Sequence, residues 1–197
     1  MTLTPRPVRI VHVDAGLVVI DKPAGVAVHG GSGVSHGVIE QLRQARPEAR
    51  FLELVHRLDR ETSGILLIAK KRTALTHLHE QMRDGVTDKR YFALVTGDWK
   101  NQRQHVKLPL FKYTTPDCER RVRVQEGGQP SHTIFSLKKK WQQFALLEAE
   151  LKTGRTHQIR VHLKERRTPI IGDEAYGSIE WNKKFLRSDG IRRPLLH

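Results

Sequence analysis

Short apolar runs of four to nine residues recur along this chain of 197 residues and limit its fold more than any other feature. Their β-branched and aromatic residues, and the turn residues that end them, are typical of strands. We predict strands at residues 8–13, 17–20, 51–58, 64–69, 89–95, 132–137 and 143–151. No run approaches the roughly 18 apolar residues that a membrane-spanning helix needs, so the sequence excludes an integral membrane protein.

Three helices are predicted between these strands. Ser35 is the expected cap of one helix, which carries Ile39 and Leu42 on its apolar face, and Thr73 is the expected cap of a second. The third is expected over residues 156–165. Because helices and strands do not alternate strictly, the sequence predicts an α+β fold, with a mixed, mostly antiparallel β-sheet and flanking helices.

Two segments give weaker signals. Residues 100–130 are polar and basic and contain Gly127, Gly128 and Pro130, so loops and one short hairpin are expected there. From residue 178 the tail is basic and poorly patterned, and it contains Trp181 and Phe185.

A strong positive charge indicates the kind of partner that this chain binds. Lys and Arg number 35 and Asp and Glu number 21, which gives a net charge of +14. A field of this size on a small protein favours polyanions. The single cysteine, Cys118, excludes an intrachain disulfide and a multi-cysteine zinc site, and no apolar signal segment begins the chain. We therefore expect a cytoplasmic, single-domain protein.

The densest polar cluster is HRLDRETSG at residues 56–64, between two apolar runs. If strand-like alternation persists through it, Arg57 and Asp59 share one face. An aspartate among arginines keeps a low pKa and stays ionised, so Asp59 can serve as a nucleophile or a base. A structural ion-pair network would account for the same residues, and both interpretations remain open at this point.

A second cluster, KTGRTHQIR at residues 152–160, joins a glycine turn to a helix start. Arg155 can clamp a carboxylate or a phosphate there, or simply belong to a solvated basic helix end. In a third cluster Tyr91 lies among cations, which suits base stacking or proton transfer as well as an ordinary place in the core.

The glycine-rich segment HGGSG at residues 29–33 lacks the Gly-Lys-Ser/Thr ending of a nucleotide-binding loop. A tight turn with a phosphate-backbone contact is expected there instead. Although the chain has eleven histidines, His77 and His79 lie two residues apart on a predicted helix and do not share a face. We therefore expect no metal site.

The clusters taken together resemble the three motifs of the RluA family of pseudouridine synthases. The matching segments, in the family's order, are HRLDRETSGILLIAKK (56–71), KRYFALVTGDW (89–99) and LKTGRTHQIRVHL (151–163). The upstream DKPAGVAVHGGSG (21–33) resembles the branch that acts on large-subunit ribosomal RNA. The similarity extends from about residue 8 to about residue 177.

This resemblance implies that the chain isomerises uridine to pseudouridine in 23S ribosomal RNA or its precursor. Members of the family break the N1 glycosidic bond and rejoin the ribose to C5, without a metal or a cofactor. Because a base inside a helix is out of reach, the target must be flipped out. The resemblance also implies a central RNA-binding cleft, and we expect a monomer.

The resemblance places Asp59 on the catalytic aspartate, Tyr91 on the tyrosine that stacks on the base and moves a proton, and Arg155 on the basic partner of the aspartate. Ile159 falls on an apolar position near the site, and Arg57 on an arginine that fills the gap left by the flipped base. The other predicted RNA contacts are Arg60, His29, Lys152, His157 and Arg160. Attack at C1′, attack at C6 and a glycal route remain open for Asp59.

The chain is expected to differ from the family in two ways. Residues 1–197 are expected to be a catalytic domain without the S4-type RNA-binding domain of this branch. The chain also ends at 194–197, where an apolar strand is expected to begin.

Two other classes of function are alternatives to this enzyme. A catalytically idle RNA-binding module would not need Asp59, Tyr91 and Arg155 intact. A nucleoside hydrolase would not need a charge of +14.

Overall fold

The computed structural model describes residues 8–31 and 36–197. They fall into two compact units, Met1–Thr87 and Asp88–His197. The predicted helix cap Ser35 and the end of the HGGSG segment lie outside the described residues. No helix within the described ranges is both long enough and apolar enough to cross a membrane.

The first unit is a four-stranded antiparallel sheet with two helices. Its elements are β1 (Arg9–Val13), β2 (Leu17–Lys22), α1 (Val38–Ala45), β3 (Glu53–Leu54), β4 (Gly64–Ala69) and α2 (Arg72–Arg83). The strand order is β1-β2-β4-β3. Alternate residues of β2, including Val18 and Ile20, point into the core. The register pairs Lys22 with Gly64, so the end of β2 lies beside the start of β4.

β3 is much shorter than the strand predicted over residues 51–58. The Leu67 amide donates to the His56 imidazole at 3.2 Å, and the Val55 carbonyl contacts the His79 ring at 2.9 Å. The Val55 amide still donates to the Leu67 carbonyl at 3.0 Å, but the two side chains take the reciprocal backbone groups, so the regular strand ends at Leu54. The alternation expected to carry Arg57 and Asp59 is therefore not present.

The second unit contains a four-stranded sheet, a separate two-stranded ribbon and two helices. Its elements are β5 (Arg90–Thr96), β6 (Arg103–Lys107), β7 (Leu110–Thr114), β8 (Arg120–Val124), β9 (His132–Lys140), β10 (Phe144–Leu151), α3 (Gln158–Glu165) and α4 (Ile179–Asp189). The order in the sheet is β5-β10-β9-β6, and β7 pairs with β8. Phe135, Leu147 and Leu163 are fully buried in its core. All pairs between the named strands are antiparallel.

Two elements of this unit were not predicted. β6 is an edge strand in which only Val106 is buried, so its sequence carries no clear alternation. α4 buries none of its residues fully, but the Ser178 hydroxyl caps it and Gly190 ends it in the left-handed region (φ +67°). Trp181 and Phe185, one turn apart, contact the Phe144 ring and hold the helix in place.

Other expectations shift by a few residues or are confirmed. α2 begins after Lys71 rather than after the predicted cap Thr73, and α3 begins at Gln158. The hairpin expected within residues 100–130 is the β7–β8 ribbon. The apolar end of the chain pairs with β5, since the Leu94 amide donates to the Leu195 carbonyl at 3.0 Å.

Candidate active-site loops

The loop that carries Asp59 is held by a fully buried lysine. The Lys22 ammonium donates to the carbonyls of Pro23, Val26 and Arg60 at 3.0, 2.8 and 3.0 Å. Three carbonyl acceptors match the three donors of an ammonium and offset the cost of burying it. Lys22 therefore ties the turn after β2 to the residue that follows Asp59.

Backbone hydrogen bonds complete this attachment. The Gly25 amide donates to the Arg60 carbonyl at 2.9 Å, and the Thr62 amide donates to the Asp59 carbonyl at 3.1 Å. Leu58, on the other side of Asp59, is buried in the core. Asp59 is thus a half-buried residue on a turn that is fixed at both ends.

Sequence reasoning did not identify Lys22 as part of this site. The sequence feature that could have identified Lys22 is its position on the inward-facing side of β2, after Val18 and Ile20 and directly before Pro23. A lysine in that position must find acceptors inside the protein.

The remaining predicted residues of the first unit lie on its surface. Arg57 and His29 are exposed. The Arg60 guanidinium donates to the Gly25 carbonyl at 3.2 Å and lies 3.5 Å from the Glu61 carboxylate. Glu40, at the start of α1, accepts hydrogen bonds from the Gly30 and Gly37 amides at 2.9 and 2.8 Å, which holds the segment after His29 against the helix.

In the second unit a buried glutamine organises the loop before α3. The Gln158 side-chain oxygen accepts from the Arg155 amide at 3.0 Å and from the Thr153 hydroxyl at 2.7 Å. Its nitrogen donates to the His132 carbonyl at 3.0 Å and the Thr133 hydroxyl at 2.9 Å. One side chain thus attaches the loop to β9, and sequence reasoning did not single it out.

Arg155 itself is exposed on this loop, and its Nε donates to the Pro130 carbonyl at 3.1 Å. A Cβ at Gly154 would lie 3.5 Å from the Lys89 ammonium, an ordinary van der Waals distance, so this part of the loop lies beside that lysine. Burial lowers the pKa of Lys89.

Tyr91, on β5, is half-buried and packs against the apolar cluster that contains Ile159. The structure therefore brings two predicted site residues, Tyr91 and Ile159, to the same cluster.

Three predicted RNA contacts have protein partners within the second unit. Lys152 forms an ion pair with Glu150. His157, the residue before α3, has a left-handed backbone (φ +52°) and contacts the Tyr176 hydroxyl through Nδ1 at 2.7 Å.

Arg160 forms two hydrogen bonds with the Asp173 carboxylate, Nε to Oδ2 at 2.7 Å and Nη2 to Oδ1 at 2.9 Å. The arginine side chain is 11% exposed and the aspartate 1%. We therefore assign Arg160 a structural role in pairing with Asp173, and its predicted contact with RNA stays a prediction.

Beneath the Arg155 loop lies a buried histidine. His162 has its two ring nitrogens beside the hydroxyls of Ser131 (2.8 Å) and Thr133 (2.9 Å). Burial, with a further contribution from the charge of His132, lowers the pKa of His162 from 6.5 to about 4. The imidazole is therefore neutral in the folded protein at neutral pH.

Because of His162, the free energy of unfolding is expected to fall as the pH drops from about 6.5 to about 4. In that interval the unfolded chain binds a proton on this imidazole and the folded chain does not, which costs about 3 kcal/mol over the whole interval. The lowered pKa of His132 acts in the same direction. Urea unfolding followed between pH 7 and 5 measures the slope. His162→Gln, which cannot titrate, should flatten it, and equal slopes in both proteins would contradict this assignment.

Among the residues that the structure describes, no group of three His, Cys, Asp or Glu side chains is placed to hold a metal ion. His105 and His132 contact each other at 3.1 Å, but no third ligand of these types joins them in the described part of the chain.

Comparison with known proteins finds one family that matches most of this chain. The sequence profile described as RNA pseudouridylate synthase matches residues 16–165, which include both loops. The chain belongs to the RNA pseudouridylate synthase family. The predicted family resemblance and the α+β fold are thereby confirmed.

Curated relatives make the similarity more specific. The chain is 51% identical over 189 residues to ribosomal large subunit pseudouridine synthase C of Pasteurella multocida, an alignment that covers 96% of this chain and 58% of that protein. It is 49% identical to the protein of the same name from Escherichia coli, with 95% and 59% covered. The chain thus spans less than two thirds of the length of these relatives.

Solved structures share the fold. Human RNA Pseudouridylate Synthase Domain Containing 4 superposes with a TM-score of 0.74 at 28% identity, covering 95% of this chain and 81% of that one. Human RNA Pseudouridylate Synthase Domain Containing 1 gives a TM-score of 0.78 at 22% identity, with 99% and 79% covered, and supports the fold alone.

Proposed function

We propose that this chain is a catalytic domain that isomerises uridine to pseudouridine in large-subunit ribosomal RNA or its precursor. The observation that carries the proposal is the Asp59 turn, a half-buried carboxylate on a backbone that buried Lys22 holds in place. A reactive group held this way needs little reorganisation at the moment of reaction. The names of the relatives support the choice of RNA.

The reaction rearranges one nucleotide without a change in composition. The N1–C1′ bond breaks, a C1′–C5 bond forms, the proton on C5 leaves, and N1 gains a proton. On this proposal Asp59 reacts at C1′ or C6 of the nucleotide, or removes the 2′ proton to give a glycal. Arg155 acts as the basic partner of this carboxylate. Tyr91 stacks on the base and carries the C5 proton.

RNA binding on this proposal begins with the charge of +14, which attracts the phosphate backbone whatever its sequence. Arg57, Arg60, His29, Lys152, His157 and Arg160 stay predicted RNA contacts. We propose that residues 1–197 act as a monomer in the cytoplasm, without a metal or a cofactor.

Incubation with unmodified large-subunit ribosomal RNA tests this function against its alternatives. Pseudouridine mapped to defined positions is the expected product. Binding without conversion would indicate an idle RNA-binding module, and released uracil would indicate a hydrolase. A longer version of the chain, extended to the length of the relatives, is the matched control for loss of RNA contacts outside these residues.

Tyr91→Phe is expected to lower single-turnover pseudouridine formation by about 10²–10⁴-fold while RNA affinity is retained. The substitution keeps the ring that stacks on the base and removes only the hydroxyl that carries the proton. The measurement is made at saturating RNA. Tyr91→Leu should in addition weaken RNA binding. A turnover rate of the Phe variant near that of the wild type would exclude the hydroxyl from the chemistry.

A further inference from the structure

The β7–β8 ribbon has two faces of different chemistry. Its register sets Phe111 opposite Arg123 and Tyr113 opposite Arg121. Opposite residues of an antiparallel pair, and residues two apart on a strand, share a face, so these four side chains lie on one side. The other side carries Leu110 and Val122, which are buried in a cluster with Val161 and Tyr176 of the second unit.

The face with Phe111 and Tyr113 is therefore not the face that stabilises the ribbon. Phe111 is 39% exposed, whereas its neighbour on the strand, Leu110, is buried on the opposite face. The Arg123 guanidinium carbon lies 5.7 Å from the centre of the Phe111 ring and 5.0 Å from that of Tyr113. The Gln125 side chain accepts from Arg123 Nε at 2.9 Å and orients it.

The result is a small platform of planar groups, in which the Phe111 ring and the Arg123 guanidinium are exposed and the Tyr113 ring is half-buried. Planar groups held in place before binding lose little conformational entropy when a ligand stacks on them. Residues 107–126 contain five Lys and Arg and three Asp and Glu, so the ribbon segment carries a net positive charge, although Glu119 forms an ion pair with Arg121. Nucleic acid bases offer a flat π-face and carry phosphates that this charge attracts.

We propose that Phe111, Tyr113 and Arg123 form a stacking surface for unpaired bases of RNA, in addition to the loops that carry the proposed chemistry. The proposal rests on RNA as the substrate class of the proposed function. A peptide partner would not explain why planar groups and positive charge coincide, whereas single-stranded RNA uses both.

The test is a binding experiment with the whole chain and the Phe111→Ala/Tyr113→Ala double variant. The probes are a fluorescently labelled oligouridylate and an oligomer of equal length whose central nucleotides are abasic. Stacking is worth about 5-fold in Kd or more per base. The wild type should therefore bind the oligouridylate at least about fivefold more tightly than the abasic oligomer. The double variant should lose this difference and bind the abasic oligomer as the wild type does.

Matched controls separate stacking from charge and from folding. Trp141 is 42% exposed, with the Lys139 ammonium 5.0 Å from its ring centre, in the turn between β9 and β10. Trp141→Ala removes an exposed aromatic under a cation elsewhere and should leave both affinities unchanged. Phe111→Tyr/Tyr113→Phe keeps both rings and should bind as the wild type does. The urea unfolding midpoint of each variant shows whether it is folded.

The proposal is overturned if the folded double variant keeps the preference for bases, or loses affinity for both oligomers equally. The second result would mean that the two rings support RNA binding without stacking on bases. The proposed function is judged separately, by pseudouridine formation in the wild type. A base preference that depends on Phe111 and Tyr113 in a chain that makes no pseudouridine would sustain the stacking surface and contradict the proposed enzyme.

Discussion

Asp59→Asn is expected to reduce pseudouridine formation by about 10⁴-fold or more and to leave RNA affinity close to that of the wild type. The amide is nearly isosteric with the carboxylate but is a much poorer nucleophile and base. The turn should persist because the hydrogen bonds from Lys22, Gly25 and Thr62 go to backbone carbonyls of residues 59 and 60. Single-turnover conversion and an RNA binding curve, measured on one preparation, check both parts.

Glu61→Gln is the matched control for Asp59→Asn. It makes the same carboxylate-to-amide change two residues away, on a side chain that pairs with exposed Arg60 at 3.5 Å. An exposed pair of this kind contributes about 1 kcal/mol or less, so conversion and stability should barely change. A comparable rate in the Asn variant, or an equal loss in both variants, would show that the charge of Asp59 is not what drives the reaction.

Arg160→Ala is expected to lower the free energy of unfolding by about 3–5 kcal/mol, the cost of leaving a buried charge without its partner. The charge left behind is Asp173, which is 1% exposed and also accepts from the Ala175 and Tyr176 amides. Urea unfolding measures the loss. Adding Asp173→Asn to Arg160→Ala removes the unpaired charge and keeps an acceptor for those amides, so it should restore part of the stability.

Arg155→Ala provides the contrast with Arg160→Ala, since it removes an arginine of the same segment that is exposed. It is expected to change stability by about 1 kcal/mol or less, because its Nε donates to a single carbonyl, that of Pro130. Pseudouridine formation, by contrast, should fall strongly, because Arg155 is proposed to be the basic partner of the reacting Asp59 carboxylate. If Arg155→Ala destabilised the chain as much as Arg160→Ala does, the two arginines would have the same structural role.

Several strands that sequence patterning predicted well have one clearly buried face, although β1 was also predicted well and is exposed along its length. β2, β4 and β10 alternate buried and less buried residues along most of their length, and each lies at the predicted place within a few residues. The polar clusters at residues 56–64 and 152–160 were found for a related reason, since each interrupts the apolar pattern where a loop must begin, whereas Tyr91 lies on β5. Their types and order along the chain were enough to indicate the family, which the matching profile over residues 16–165 confirms.

Elements with a weak local signal depended on tertiary contacts. α4 packs Trp181 and Phe185 on Phe144, a residue more than thirty positions earlier in the chain. β6 is a strand because β9 offers it an edge to pair with. β3 stops early because His56 and His79 take its backbone partners. A local pattern does not contain these partners.

The sequence by itself determined the three clusters that carry the proposed site residues, namely an aspartate among arginines, a tyrosine among cations and an arginine after a glycine turn. Only the tertiary structure decided which cation is buried, which is exposed and which partner each one has. Lys22 and Arg160 look like other basic residues in the sequence, yet one is fixed by three carbonyls and the other by Asp173. The physical reason is that the cost of burying a charge is offset only by acceptors that folding brings to it.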